Sequence, residues 1–187
     1  MSGFWVLVCG ASGAGKDSVM AWAAQHLAQR TDIIFARRMV TRAPQPGSDH
    51  DAVTLPRFEA LMASNQLTWR WEAHGYHYGI EARYAHDVAA GRTVVVNGSR
   101  EHVATLEPHP RVRVVQIVAD ATQLATRMAQ RGRDAPHDVE RRLARNARFP
   151  DLRADRTILN QGELSHAGRE LADYLATDAA LVISGRP

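Results

Sequence analysis

Short apolar runs punctuate the chain. Phe4–Cys9 and Thr93–Val96 carry no polar interruption beyond a threonine, Val112–Val118 is of the same kind, and Ile33–Phe35 and Arg156–Leu159 are shorter versions. Runs of this length, too brief for helices and rich in β-branched residues, predict strands buried on both faces of a parallel sheet. Between them the spacing turns helical. Asp17–Gln29 places Met20, Ala23, Ala24 and Leu27 on one face, and Leu55–Asn65, Glu81–Ala90, Thr122–Arg131, Val139–Arg148 and Leu164–Leu175 read as further helices. Gly91 and Gly132 mark two of their ends. Trp69 and Trp71 alternate with polar residues in "LTWRWEAHGYHYGI", which predicts short antiparallel strands joined at His74-Gly75. The arginine-rich "RRMVTRAPQPGSDHD", with two prolines and a glycine, reads as an irregular functional segment. Strands alternating with helices place the chain in the α/β class with a central parallel sheet.

At 187 residues the chain suits a single domain, without repeats or an obvious linker. Hydrophobic residues at 45% and charged residues at 23% exclude a disordered chain. The net charge of +3 reads either as an arginine-rich surface or as the mark of an acidic ligand such as a polyphosphate. Scattered arginines without interleaved aromatics predict no nucleic acid partner. No apolar run approaches the roughly 18 residues of a membrane span, so no membrane association is expected. The single Cys9, in an apolar run, fits a reducing compartment and a buried role, and the N-terminus lacks a secretory pattern, so a cytoplasmic protein is expected.

Candidate chemistry begins where the first strand ends. Gly10, Ala11, Ser12, Gly13, Ala14, Gly15 and Lys16 form G-x-x-x-x-G-K between a predicted strand and a predicted helix, the setting in which this motif binds ATP. Backbone N–H groups and the helix N-terminus cradle the phosphates, and the lysine reaches the β- and γ-phosphates. The residue expected next is Ser or Thr, a ligand of Mg2+; here it is Asp17, with Ser18 one place late. Asp17 has three readings: a favourable charge in a helix first turn, a ligand of Mg2+ directly or through water, or a carrier of water or the acceptor group. Ser18 is no automatic substitute, because one step along a helix turns a side chain by about 100°.

Arginines form two groups, Arg37, Arg38 and Arg42 early, and Arg127, Arg131, Arg133, Arg141, Arg142 and Arg145 late. Their planar forks suit phosphate oxygens. Asn97, Ser99 and Arg100 follow a buried strand's C-terminal end, where ligands sit in open α/β sheets, and are acceptor-site candidates. Asn160, after the last strand, lies near the adenine or caps a loop. His74 and His77 lack two further ligands for zinc.

The order GASGAGK, V-T-R-A-P, F-E-A-L, H-G-Y-H-Y-G, RMAQRG and ERRLAR resembles the guanylate kinase family over residues 4–175. The resemblance implies one three-layer P-loop domain, with a core of residues 1–35 and 93–187, an acceptor-binding subdomain over about 36–92 and a lid near 130–146. It implies ATP and Mg2+ as cofactors and a small-molecule acceptor. Lys16 and the lid arginines Arg131 and Arg142 would be catalytic, Arg127 and Asn160 would join the loop in binding the nucleotide, and Arg42 and Tyr78 would contact the acceptor's phosphate.

Departures shift the acceptor. Arg38 stands where guanylate kinases have the serine facing the base, and Gln45 where they have a second arginine. The guanine-pairing glutamate falls at about Trp69, and a tyrosine falls at His50. A guanine pocket without its hydrogen-bonding partners discriminates poorly, and an arginine there suits an anion instead. Together, G-K-D-S, V-T-R and V-V-N-G-S-R resemble the ribose 1,5-bisphosphate phosphokinases within this family. That implies a phosphorylated ribose as substrate, held by Arg38, Arg42, His50, Tyr78, Asn97 and Arg100, and a product, 5-phospho-α-D-ribose 1-diphosphate, made in phosphonate catabolism. The alternatives are a guanylate kinase and a non-catalytic binding module, the latter disfavoured by the retained Lys16.

Overall fold

The computed structural model describes residues 3–11, 13–44, 50–73, 75–120, 122–124 and 152–178. Five parallel strands form the central sheet: β1 (Trp5–Gly10), β2 (Ile33–Ala36), β7 (Thr93–Asn97), β8 (Val112–Val118) and β9 (Arg156–Leu159). Their order is β2-β7-β1-β8-β9, so the strand that leads into the glycine loop lies in the middle. Alternation along β1 explains its unbroken apolar run. Val6 and Val8 face a cluster with Val19, Met20, Ala23, Ala167 and Leu171, from helices α1 (Lys16–His26) and α5 (Leu164–Asp173). Trp5, Leu7 and Cys9 face the opposite cluster.

That opposite cluster holds a second, four-stranded sheet. β3 (Arg38–Val40), β4 (His50–Ala52), β5 (Leu67–Ala73) and β6 (Tyr76–Glu81) lie in the order β4-β3-β6-β5. β3 pairs with β4 in parallel and with β6 antiparallel. Trp71, Ala73, Tyr78 and Ile80 from this sheet share a core with Leu7, Val94 and Val96 and with Tyr84 and Val88 of α3 (Arg83–Ala89). Helix α2 (Leu55–Ala63) is capped by Thr54, whose Oγ1 accepts from Arg57 N at 3.4 Å, and buries Phe58 and Leu61. Among the described residues no helix is long and apolar enough to cross a membrane.

Several elements differ from the sequence expectations. The segment read as irregular contains β3 and β4, each only three residues long. Residues 100–105 form a short helix, α4 (Arg100–Thr105), where only site candidates were expected. Glu81 ends β6, and α3 begins at Arg83. β8 buries Arg113, Val115 and Ile117, while Val112 and Val114 stay half-buried at the margin of the opposite cluster. α5 ends at Asp173 and passes into a π-helical turn over Tyr174–Asp178. Most of Thr122–Arg131, all of Val139–Arg148 and the expected lid lie outside the described residues.

Candidate active site

The glycine loop joins β1 to α1 at the C-terminal edge of the central sheet. Gly13 and Gly15 adopt φ of 91° and 80°, a left-handed conformation that a Cβ disfavours, and Gly15 is the N-cap of α1. Ala14 N donates to Ala11 O at 3.1 Å and Val19 N to Gly15 O at 3.0 Å, which close the turn and begin the helix. Asn160, directly after β9, fastens the loop. Its buried Nδ2 donates to Ala14 O at 2.7 Å, while its own N–H donates to Val118 O at 2.8 Å. An amide that spends a donor on the loop backbone sets the loop's position. Of the loop residues, Ser12 alone lies outside the described set, and Ser18 is exposed on the first turn of α1.

Lys16 opens α1 and meets two partners. Its Nζ donates to Asp17 Oδ1 at 2.9 Å and to Asn97 Oδ1. Asn97, the last residue of β7, returns Nδ2 to Asp17 Oδ1 at 2.6 Å. Burial lowers the lysine's pKa, Arg38 adds to the fall, and Asp17 opposes it. For Asp17, burial pushes upward but is outweighed by the Lys16 ammonium, hydrogen bonds from Lys16 and Asn97, and Arg38, which hold the carboxyl well below the usual range. Cys9, beneath the loop, is pushed up to about 11 by burial against the charges of Lys16 and Arg100, so it is a neutral, inert thiol.

Arg38 links this corner to the second sheet. Its charge acts on both Lys16 and Asp17, and its guanidinium lies 5.8 Å from the centroid of the Tyr78 ring. Arg42 lies at the same 5.8 Å from the Tyr76 ring. The Tyr78 phenol is raised first by burial, with Arg42 and Arg38 opposing and Tyr76 reinforcing, so it is a neutral hydrogen-bond donor. His50 is opposite Arg38 across β3–β4 and sets Nε2 3.3 Å from Arg42 O. Arg38, His50 and Tyr78 thus lie on one sheet, and Arg42, two residues beyond β3, sits beside them against His50 and Tyr78.

Other candidates have different surroundings. Arg37 is paired with Asp51 at 2.9 Å, apart from its neighbours in the arginine group. Ser99 is the N-cap of α4, its Oγ accepting from His102 N at 3.0 Å. Arg100 is buried at the start of α4, near enough for its charge to act on Cys9. The position expected for guanine's glutamate, Trp69, is packed against the Trp5 ring at 4.5 Å and offers no carboxylate. Arg127, Arg131, Arg133, Arg141, Arg142, Arg145 and Gln45 lie outside the described residues. Tyr76 was missed. Its signal is the period of two that puts it on the same face of β6 as Tyr78.

A central parallel sheet, a glycine loop with its lysine at a helix N-terminus, and a cationic second sheet facing that lysine define a P-loop kinase. The fold is that of guanylate kinase: the enzyme from Anaplasma phagocytophilum superposes with a TM-score of 0.70 over 96% of this chain and 87% of that one, at 14% identity. No family model matches the chain. It is 40% identical over 173 residues to the ribose 1,5-bisphosphate phosphokinase PhnN of Burkholderia mallei, covering 91% of this chain and 94% of that protein. The PhnN proteins of Rhizobium etli and Agrobacterium fabrum are 42% and 37% identical over 92% and 93% of this chain, and 89% and 97% of their own lengths. The chain belongs to the ribose 1,5-bisphosphate phosphokinase family.

Proposed function

We propose that this kinase transfers the γ-phosphoryl group of ATP to the 1-phosphate of ribose 1,5-bisphosphate, giving 5-phospho-α-D-ribose 1-diphosphate and ADP, as in phosphonate catabolism. The observation that carries the acceptor assignment is Arg38. A cation stacked on Tyr78, with its charge acting on the P-loop lysine, suits a second anionic group and not a purine. Arg42 and Tyr78 supply further cation and donor for acceptor phosphate, with His50 and Arg100 at the margins.

The chemistry asks little of the protein beyond placement and charge. A phosphate monoester is already ionised at neutral pH, so an oxygen of the acceptor's 1-phosphate attacks the γ-phosphorus in line while the bond to the β-γ bridging oxygen breaks, and ADP leaves with those electrons. No general base is required. Lys16 neutralises charge on the β- and γ-phosphates, and the loop N–H groups hold them in position. Asp17 provides a carboxylate oxygen beside Lys16, a hard donor whose chemistry fits Mg2+. When bound, Mg2+ neutralises phosphate oxygens alongside the lysine. The resemblance to guanylate kinases assigns the same task to Arg131 and Arg142, which lie outside the described residues.

A coupled ADP-release assay with ribose 1,5-bisphosphate and GMP offered separately tests the assignment. Turnover of the ribose bisphosphate with little or none of GMP is expected. Turnover of GMP alone would return the chain to guanylate kinase chemistry.

A further inference from the structure

P-loop enzymes of the common pattern hold magnesium with a Ser or Thr after the loop lysine and with an Asp on a separate, Walker-B strand. This chain departs at the loop position and carries no carboxylate at the end of β7, one of the two strands hydrogen-bonded to β1. Asp17 follows Lys16, and β7, hydrogen-bonded alongside β1, ends on Asn97. A carboxylate and a neutral polar group still face each other across the same gap, and they meet: Asn97 Nδ2 donates to Asp17 Oδ1 at 2.6 Å.

The contacts are one-sided in a telling way. Lys16 Nζ and Asn97 Nδ2 both end on Oδ1 of Asp17, and Oδ2 has no hydrogen bond among the described residues. The Asp17 side chain is 51% exposed, although the corner around the carboxyl is enclosed enough for burial to act on it. Asn97 can close this triangle because an amide offers both a donor, to Asp17, and an acceptor, to Lys16. An ionised aspartate at 97 could not donate to Oδ1 and would set two carboxylates side by side, which raises the pKa of one of them.

We propose that the metal-holding carboxylate of this kinase sits on the loop instead of on the neighbouring strand, and that Asn97 is its positioning residue. Anchored through Oδ1, Asp17 offers Oδ2 to the Mg2+ that accompanies ATP. The proposal rests on the ATP-kinase reading above but not on the identity of the acceptor.

The test uses the full chain with Mn2+ and the non-hydrolysable ATP analogue AMP-PNP, without any acceptor. Electron paramagnetic resonance of free Mn2+ gives the metal's affinity for the protein–nucleotide complex, and calorimetry in EDTA gives the metal-free AMP-PNP affinity. Asp17→Asn should lose Mn2+ affinity while metal-free AMP-PNP binding holds or improves, since a negative charge beside the polyphosphate is gone. Asn97→Ala should lose Mn2+ affinity on the order of ten- to a hundredfold, the usual cost of removing a group that orients a metal ligand. Asp17→Ser combined with Asn97→Asp, which restores the common arrangement, should recover affinity that Asp17→Ser alone loses. Unchanged Mn2+ affinity in Asp17→Asn, an equal fall in metal-free AMP-PNP affinity, or no recovery in the double variant overturns the proposal. Circular dichroism and a cooperative urea transition show that a variant is folded, so a fall in metal-free affinity is not mistaken for unfolding. With no acceptor in the sample, a wrong acceptor assignment leaves this result untouched and is caught by the ADP-release assay.

Discussion

At the scale of single residues, the site separates into groups that touch a ligand and groups that hold them. On the function proposed above, Arg38 belongs to the first. Arg38→Ala should raise the acceptor's KM about ten- to a hundredfold, the loss of a hydrogen bond to a charged group, and leave ATP's KM nearly unchanged. Equal effects on both substrates would place Arg38 in the P-loop's support instead. Asn160 belongs to the second. Asn160→Ala leaves the Ala14 carbonyl without its side-chain donor and should cost about 1–3 kcal/mol in urea unfolding, with weaker ATP binding and an unaltered acceptor KM. The glycines, Lys16 and the oddity of Asp17 are legible in the sequence because they are contiguous. The bond between Asp17 and Asn97 is not, because it depends on β7 lying beside β1, and eighty residues of chain intervene before that neighbour appears.

Among the elements, legibility follows burial and length. β1 and β7 announce themselves because both faces are covered, which leaves no polar position to interrupt them. β3 and β4 are too short for a period to show, and Arg38, His50 and Asp51 leave them without an apolar run. α4 spans less than two turns, so its only sequence signal is the cap, Ser99 before Glu101. Packing between α1 and α5 offers a sharp test. A Cβ at Gly168 would lie 2.5 Å from two atoms of the Trp22 indole and 2.8 Å from its Cγ, the end that cannot swing aside. Glycine to alanine inside a helix ordinarily stabilises by about 1 kcal/mol. Here the sign should reverse, with Gly168→Ala destabilising by about 1–3 kcal/mol through overpacking. A denaturant midpoint that rises in this variant would show that the two helices can part without cost.

Across the whole molecule, the second sheet is joined to the core by a run of rings. Trp5 of β1 meets Trp69 of β5 at 4.5 Å; His102 of α4 stacks on Trp71 at 4.6 Å and 6°, with Trp69 at its edge; and Trp71 stacks in turn on Tyr78 of the candidate acceptor site at 5.4 Å. His102 is the link supplied by the core helix, and it is built to be neutral. Burial lowers its pKa, and its Nδ1 is buried without a hydrogen-bond partner, so a proton there would place an unpaired charge between indoles. The unfolded chain keeps the ordinary histidine value, so between that value and the lower folded one it binds more protons than the folded protein. The contribution of His102 to stability is therefore complete above about pH 6.5 and is lost as pH falls through the window below it. Urea midpoints measured at pH 7.5 and pH 5.5, taken on the order of one unit either side of the free histidine value, should fall for the wild type. His102→Phe keeps an aromatic face against Trp71 and removes the titrating nitrogen, so its midpoint should fall less over the same interval. Parallel falls in the two proteins would mean that the acid sensitivity resides in other groups and that the ring stack carries no proton-linked weakness.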